Sequence, residues 1–372
     1  MPNQDNRTWA EIDLSALEHN YGEIRKKLPK DTFFAGLCKA NAYGHGAVTV
    51  ARRLEEIGAD YIAVSCPQEA SELREAGICL PILILAPSPA SVAPELARIG
   101  AEQAVGDIAC ARAMNAALEE ANLTLRVHVK LETGMGRTGF NVSGEGTLAD
   151  ITALMELPRL RVVGVFTHFA VADEYGDPFT QLQLARFTEA ADKLEEITGR
   201  SLGIRHCANS GAVVNYPETY FDMARPGLLL YGLYPEEGRA GLDLRPVMTL
   251  KTRVCEITEH GAGDTVSYGR IFTCEHDMRL AVIPIGYADG LHRVLSGKMD
   301  VLINGRRARQ VGRICMDMCM VDVSDMPEVR VGDVVTVFGV GLGVDEQAKK
   351  AGTISYELLC AVSPRVPRVY LN

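Results

Sequence analysis

A regular alternation of short apolar runs with segments of helical period fills the first two thirds of the chain. Alternating strand and helix predicts a parallel sheet, because two parallel strands need a crossover between them. Eight such units in about 240 residues fit a closed barrel better than an open sheet, and the chemistry should lie where the strands end. The predicted strands are FFAGLC, YIAVSC, PILILA, AEQAVG, LRVHVKL, VVGVFTHF, IRHCANS and FDMARPGLLLYG.

The pattern changes near residue 241 to short β-rich runs broken by glycine turns, such as MTLKTRVCEI, RLAVIPIGYADG and GDVVTVFG. We therefore predict an α/β protein of two domains. Residues 1–240 form a (β/α)8 TIM-type barrel, and residues 241–372 form a mostly β C-terminal domain. Before the first predicted strand, Ser15 and Glu18 in SALE predict a capping box that starts the first helix.

Charge and hydropathy exclude two classes of partner. The chain has 38 Lys and Arg against 48 Asp and Glu, a formal charge of -10, which opposes binding to nucleic acid and to anionic membranes. Its longest apolar stretch, around LPILILA, is far shorter than the roughly 20 residues that span a bilayer. The sequence predicts a soluble cytoplasmic protein.

The ten cysteines are scattered and form no Cys-x-x-Cys pair, so reduced thiols are expected. Cys315 and Cys319 lie in GRICMDMCMVDV, whose alternation predicts a strand, and no second Cys or His pair follows. We therefore expect no metal site.

The run GMGRTG, residues 134–139, matches the Gly-x-Gly-x-x-Gly pattern of dinucleotide-binding turns. That mechanism requires a helix to open at the turn and receive the pyrophosphate. Here the sequence continues as FNVSGEG, with two more glycines. The pattern therefore does not predict nicotinamide binding.

Lys39 follows the apolar run TFFAGLC, where a turn containing Gly44 and Gly46 begins. Lysines are almost never buried unless their charge is neutralised or used. By itself Lys39 fits either a solvated strand end or a functional amine.

The segment CKANAYGHG around Lys39 is one of a series of motifs that resembles the alanine racemase family. The likeness runs from Trp9 to Tyr370 and covers both predicted domains in the expected order. It rests on CKANAYGHG, KLETGMGRTGF, THFA, HCANSGA, ARPGLLLYG, VSYGR, GYADG, GRICMD, TISYELLC and RVPRVY. The resemblance implies a pyridoxal 5'-phosphate enzyme with a barrel and a β domain. It also implies a homodimer with shared active sites. The implied role of the enzyme is to supply D-alanine for peptidoglycan.

By resemblance, Lys39 holds the cofactor aldehyde and acts as one base, and Tyr268 in VSYG is the second base on the opposite face of Cα. An amine must be unprotonated for this role, and a phenol must have its pKa lowered from about 10. His168 matches the histidine that hydrogen-bonds the tyrosine. Arg225 matches the arginine that faces the pyridine nitrogen, where it can only donate hydrogen bonds.

The remaining site residues also follow from the resemblance. Arg137 and the backbone of Met316 match contacts to the substrate carboxylate, with Asp317 beside them, and Tyr287 matches an entrance residue. Lys130 occupies the family position that often carries a carbamate, which would orient Arg137. The implied phosphate contacts are Tyr43, Ser210, Tyr356 and the backbone around Gly227. The whole cofactor-binding set comprises Lys39, Tyr43, His168, Asn209, Ser210, Arg225, Gly227, Leu228 and Tyr356.

Three positions depart from the family pattern and leave the substrate range open: Cys38, Met318 and His292. A broad-specificity or serine-preferring racemase on the same scaffold is the nearest alternative. A decarboxylase of basic amino acids would be expected to place a carboxylate where Arg225 stands. A non-catalytic pyridoxal-phosphate carrier would lack the VSYG domain, so the sequence favours a racemase.

Overall fold

The structure, a computed structural model, describes residues 6–235 and 241–372. It divides into two compact units. One contains Glu18–Ala42 and Ala47–Leu244, and the other contains the described residues up to Leu17 together with Tyr43–Gly46 and Arg245–Asn372. The predicted domain boundary after residue 240 falls at the end of segment 236–240, outside the described residues.

The strands in chain order are β1 (Thr8–Asp13), β2 (Phe33–Leu37), β3 (Tyr61–Val64), β4 (Ile82–Ile84), β5 (Ala101–Val105), β6 (Leu125–Glu132), β7 (Phe140–Asn141), β8 (Leu160–Phe166), β9 (Ile204–His206), β10 (Met223–Ala224), β11 (Met248–Arg253), β12 (Glu256–His260), β13 (Thr265–Val266), β14 (Phe272–Thr273), β15 (Met278–Ile283), β16 (Asp300–Ile303), β17 (Arg306–Val311), β18 (Cys319–Asp322), β19 (Val334–Phe338) and β20 (Arg368–Leu371).

The α-helices are α1 (Leu14–Lys27), α2 (Ala47–Glu56), α3 (Pro67–Glu75), α4 (Ala93–Arg98), α5 (Ile108–Glu120), α6 (Thr147–Met155), α7 (Pro178–Thr198), α8 (Ser210–Asn215), α9 (Val344–Ala351) and α10 (Ser355–Ala361). Single 3-10 turns cover Ala90–Val92, Pro217–Thr219, Leu228–Tyr231, Tyr268–Arg270, Tyr287–Asp289 and Arg293–Leu295. Within the described ranges, no helix is both long and apolar enough to cross a membrane.

The first unit is a nearly closed barrel of parallel strands in the order β10-β2-β3-β4-β5-β6-β8-β9. The edges meet where Asp222 N donates to Arg205 O (3.1 Å) and Arg225 N donates to Ala208 O (2.9 Å). Each predicted strand run contains or overlaps one of these strands, so the predicted TIM-type fold is confirmed. Except for β6, the strands end before the apolar runs do, because the last residues of those runs enter loops at the barrel mouth.

The run GMGRTG opens no helix, as expected. It forms a turn that leads into β7, and β7 pairs with the end of β6.

The second unit contains a sheet in the order β12-β15-β18-β17-β16-β19-β11-β1-β20. Its pairs are antiparallel except for β1 with β20. This mostly β architecture confirms the predicted class. Strand β1 was not predicted from the sequence.

The start of α1 differs from the predicted capping box. The helix begins at Leu14, and the Asp13 carboxylate accepts hydrogen bonds from Ala16 N (2.9 Å) and from the Ser15 hydroxyl (2.6 Å). Because Asp13 ends β1 and already supplies the acceptor, Ser15 lies inside the first turn instead of capping it.

Candidate active site

The mouth of the barrel collects chemically active side chains from five strands. Lys39 follows β2, Lys130 lies in β6, His168 follows β8, Ser210 follows β9 and Arg225 follows β10. Parallel strands end at the same side of a barrel, so their loops converge there. The structure thus brings together the barrel residues singled out in the sequence.

The pKa of His168 is affected by the positive charge of this cluster. Its pKa lies well below the ordinary value because burial disfavours the charged ring and because Arg225, Arg137, Lys39 and Lys130 repel a further positive charge. His168 is therefore neutral near pH 7. This excess of cations at one barrel end is the electrostatic environment that an anionic ligand requires.

A left-handed turn follows Lys39. Ala40, Asn41, Ala42 and Tyr43 all have φ between 52° and 54°. Such angles cost about 1 kcal/mol for each non-glycine residue, so other contacts must hold the turn. Asn41 Oδ1 accepts from Ala47 N (2.8 Å), and Ala40 N donates to the Glu69 carboxylate (2.6 Å). This strain could not be predicted from the sequence, since the turn contains no glycine before Gly44.

Arg225 is a buried cation held in a fixed orientation. Its Nη2 donates to Thr167 O (2.9 Å) and its Nη1 donates to His206 Nδ1 (2.6 Å). Burial lowers the pKa of Arg225 to about 10, so the guanidinium stays charged at neutral pH. Its Cζ also lies 5.4 Å from the ring centroid of Phe166.

The glycine-rich turn binds a carboxylate of its own chain. Gly134 N donates to Glu132 Oε1 (2.6 Å), and Arg137 N donates to Glu132 Oε2 (3.1 Å). Burial alone would raise the pKa of Glu132, but the backbone N–H groups of residues 134–137 hold it below its ordinary value. The turn therefore places Arg137 through Glu132. Its three glycines all have positive φ (142°, 69° and 126°), which is the physical reason for the Gly-x-Gly-x-x-Gly pattern here.

A second group of backbone donors lies beside Ser210. Its Oγ accepts from Gly227 N (2.9 Å) and Leu229 N (3.4 Å), and Leu228 lies between these residues in the same 3-10 turn. Asn209 caps α8 by accepting from Ala212 N (3.0 Å). Backbone N–H groups and a hydroxyl are suitable donors to an anion. With the cation cluster, they form a donor set that fits a phosphorylated cofactor.

Lys130 is nearly buried, and its ammonium donates to the Thr138 hydroxyl. Burial, followed by repulsion from Arg137 and Arg225, lowers the pKa of Lys130 to about 8. An appreciable fraction of this amine is thus uncharged near neutral pH.

The lowered pKa of Lys130 predicts a pH-dependent stability. The unfolded lysine, with a pKa of about 10.4, binds more protons than the folded one above pH 8, so the free energy of unfolding rises with pH in that window. The wild-type free energy of unfolding, relative to Lys130→Met, should rise from about pH 8 to about pH 10. Urea unfolding in buffer free of carbon dioxide measures it, with exposed Lys193→Met as the matched control. A constant difference would contradict the prediction.

The second, mostly β unit, called the β unit from here on, contains the other predicted site residues. The rings of Tyr43 and Tyr356 meet edge to face with centroids 5.4 Å apart. Arg368 Nε donates to Gly44 O (2.9 Å) and keeps this loop in the unit. Gly44 has φ of 82°, and a Cβ there would collide with Leu359 O, so no other residue fits without a shift.

Tyr268 lies on an exposed, partly apolar surface of the β unit. Tyr268 is 69% exposed, and Ile271, Tyr287, Met316 and Met318 are also exposed. Ser267 before it has φ of 68°, and its hydroxyl donates to Arg313 O (2.8 Å), which fixes the turn. Tyr268 and Lys39 belong to different units of the chain.

The loop containing Met316 and Asp317 is tied to the Tyr287 turn by two backbone bonds. Tyr287 N donates to Cys315 O (3.1 Å), and Ala288 N donates to Met316 O (3.0 Å). Asp317 pairs with Arg365 (2.7 Å), which also pairs with Asp289 (2.8 Å). Neither Arg365 nor Asp289 was predicted as a site residue, because their contacts exist only where the fold brings these loops together.

Three comparisons define the class of protein. Residues 12–235 match the family model for "Alanine racemase, N-terminal domain", and residues 247–370 match "Alanine racemase, C-terminal domain". An alanine racemase of Desulforamulus reducens is 46% identical over 368 residues, 98% of this chain and 99% of the relative. Alanine racemase 1 of Clostridium acetobutylicum is 43% identical over 370 residues, 98% of this chain and 95% of the relative.

Solved structures agree over nearly the whole chain. The alanine racemase of Clostridium difficile 630 in complex with cycloserine has a TM-score of 0.92 at 38% identity, covering 98% of this chain and 96% of that one. The alanine racemase of Bacillus anthracis with bound L-Ala-P has a TM-score of 0.93 at 33% identity, covering 99% and 95%. These matches define the class of protein as an amino-acid racemase. The chain belongs to the alanine racemase family.

Proposed function

We propose that this protein is a cytoplasmic, pyridoxal-phosphate-dependent racemase that interconverts L-alanine and D-alanine and supplies D-alanine for peptidoglycan. Family membership over both domains supports the reaction class. The observation that carries the cofactor assignment is the cluster of Lys39, Lys130, Arg137 and Arg225 around neutral His168. Such a charge excess at a barrel mouth suits a dianionic phosphate ester.

The cofactor, when bound, supplies an electron-withdrawing ring that acidifies the α C–H bond of the attached amino acid. Lys39 would hold it, and Arg225 would donate to its ring nitrogen. Because arginine has no acceptor and stays charged, that nitrogen would remain unprotonated. Tyr43, Ser210, Tyr356 and the backbone around Gly227 would bind the phosphate, with Asn209 and Leu228 in the same cofactor-binding set.

Two bases move the α-proton from opposite faces. Lys39 serves one face, and Tyr268 of a second copy of the chain serves the other, which requires a homodimer with shared sites. The exposure of Tyr268 and its apolar neighbours supports this arrangement, since a second copy would cover that surface. His168, being neutral, can hydrogen-bond Tyr268 without adding charge.

Substrate is held through its carboxylate. Arg137 and the Met316 backbone bind it, Asp317 lies beside them, and Tyr287 lines the entrance. If carbamylated, Lys130 would orient Arg137. Its pKa of about 8 supports this, because the uncharged amine is the form that reacts with carbon dioxide.

The test is to incubate purified protein and pyridoxal phosphate with single L-amino acids and to resolve the products on a chiral column. We expect D-alanine to form fastest. Equal or faster conversion of serine would favour the broad-specificity or serine-preferring alternative. Absence of any D-amino acid from wild-type protein would refute the proposed function.

A further inference from the structure

A buried chain of hydrogen bonds runs across the barrel interior to Arg225. Arg225 Nη1 contacts His206 Nδ1 (2.6 Å), His206 Nε2 contacts His128 Nδ1 (2.9 Å), and His128 Nε2 contacts Glu102 Oε2 (2.7 Å). Glu102 and both histidines are at most 2% exposed. Glu102 lies near the start of β5 and Arg225 follows the end of β10, so the chain connects the two ends of the barrel.

The chemistry of the groups fixes the direction of every bond in this chain. A guanidinium can only donate, so His206 Nδ1 must accept and its proton must be on Nε2. That proton is donated to His128 Nδ1, which places the proton of His128 on Nε2, facing the Glu102 carboxylate. Both histidines are therefore neutral, and every donation points from Arg225 towards Glu102. Burial, together with Arg225 and His128, lowers the pKa of His206 well below its ordinary value, in agreement with a neutral ring.

A glycine in β8 leaves room for this chain of hydrogen bonds inside the barrel. Strand β8 lies between β6 and β9, and His128 can meet His206 across it only because residue 164 is glycine. A Cβ on Gly164 would collide with the His128 ring. On the same strand, Phe166 stacks on His206 with centroids 4.8 Å apart and planes 5° apart.

We propose that Glu102 is a positioning residue for Arg225: it supplies the distant negative charge and, through His128 and His206, sets the orientation of the guanidinium. Arg126 Nε pairs with the other carboxylate oxygen of Glu102 (2.7 Å) from the exposed side and is not part of the chain. The predicted effect on catalysis rests on the proposed function, in which Arg225 faces the cofactor. The predicted proton positions on His128 and His206 do not depend on the proposed function.

Proton positions are tested on full-length apoprotein with 15N-labelled histidine, using long-range proton–nitrogen correlation spectra and His128→Gln and His206→Gln variants for assignment. The expected result is that His128 and His206 both carry their proton on Nε2 near neutral pH. A proton on Nδ1 of either ring, or an imidazolium, would overturn the proposal. These spectra need no folded Glu102 variant.

The effect of the chain on Arg225 is tested by a double-mutant cycle. Glu102→Gln should lower kcat roughly tenfold in the wild-type background and less than about twofold beside Arg225→Lys, because its effect passes through Arg225. Gly164→Ala should interrupt the chain of hydrogen bonds, because the added methyl group collides with the His128 ring. Its effect on kcat should resemble that of Glu102→Gln. Arg126→Gln and the unobstructed Gly22→Ala are matched controls, with kcat within about twofold of wild type.

An equal loss from Glu102→Gln in both backgrounds would mean a merely structural role and would overturn the proposal. If wild-type protein had no racemase activity, the proposed function would fail, and the histidine spectra alone would decide the proposal.

Discussion

Protein carrying Lys39→Ala is expected to be colourless after a purification that yields yellow wild-type protein, and to lose racemase activity at least about a thousandfold. The physical reason is that one substitution removes both the amine that holds the cofactor and the base on one face of the substrate. Absorbance and the chiral assay measure the two losses separately.

Borohydride provides the positive counterpart of this experiment. Reduction of wild-type protein should fix the cofactor to Lys39, identified by mass spectrometry of peptides. Lys130→Met serves as the control, because it removes a buried lysine of the same cluster and should leave the label on Lys39. A label on any other lysine would refute the site assignment.

Mixing two inactive variants should restore activity. Lys39→Ala and Tyr268→Phe homodimers each lack a base in both sites, whereas a mixed dimer with shared sites has one site lacking both groups and one intact site. Complete random exchange of equal amounts makes about half of the dimers mixed, so recovery should approach about a quarter of wild-type activity.

The recovered activity must be assigned to the mixed species. Heterodimers carrying two different tags, isolated from the mixture, should have about half of the wild-type activity per dimer. The control is a mixture of two Lys39→Ala preparations that carry the two different tags. This mixture should recover no racemase activity. If verified heterodimers stay as inactive as their parents, Tyr268 acts within its own chain or is not the second base.

The barrel could be predicted because parallel strands are buried on both faces and read as uninterrupted apolar runs. Strand β1 could not, because Thr8–Asp13 is a short mixed sequence, and its antiparallel partner lies in Met248–Arg253. Its pairing is a long-range property of the fold. The cap of α1 was misplaced for the same reason, since Asp13 gains its position as the last residue of that strand.

At the candidate site, motif resemblance found the residues close to the proposed chemistry but not the residues that position them. His128 and His206 are 78 residues apart and lie in different apolar runs, so no local spacing indicates that they touch. Glu132 stands next to the glycine-rich turn, but only the fold gives the geometry of its contacts with that turn. Buried polar partners of this kind are defined by tertiary contacts.

The two-base assignment is tested most directly by following the α-hydrogen of alanine in D2O with Tyr268→Phe protein. Lys39 alone should exchange the α-hydrogen of one enantiomer for deuterium while the chiral column detects almost no inversion. Wild-type protein should exchange and invert both enantiomers. Inversion by Tyr268→Phe at the wild-type rate, or loss of exchange from both enantiomers together, would contradict separate roles for Lys39 and Tyr268.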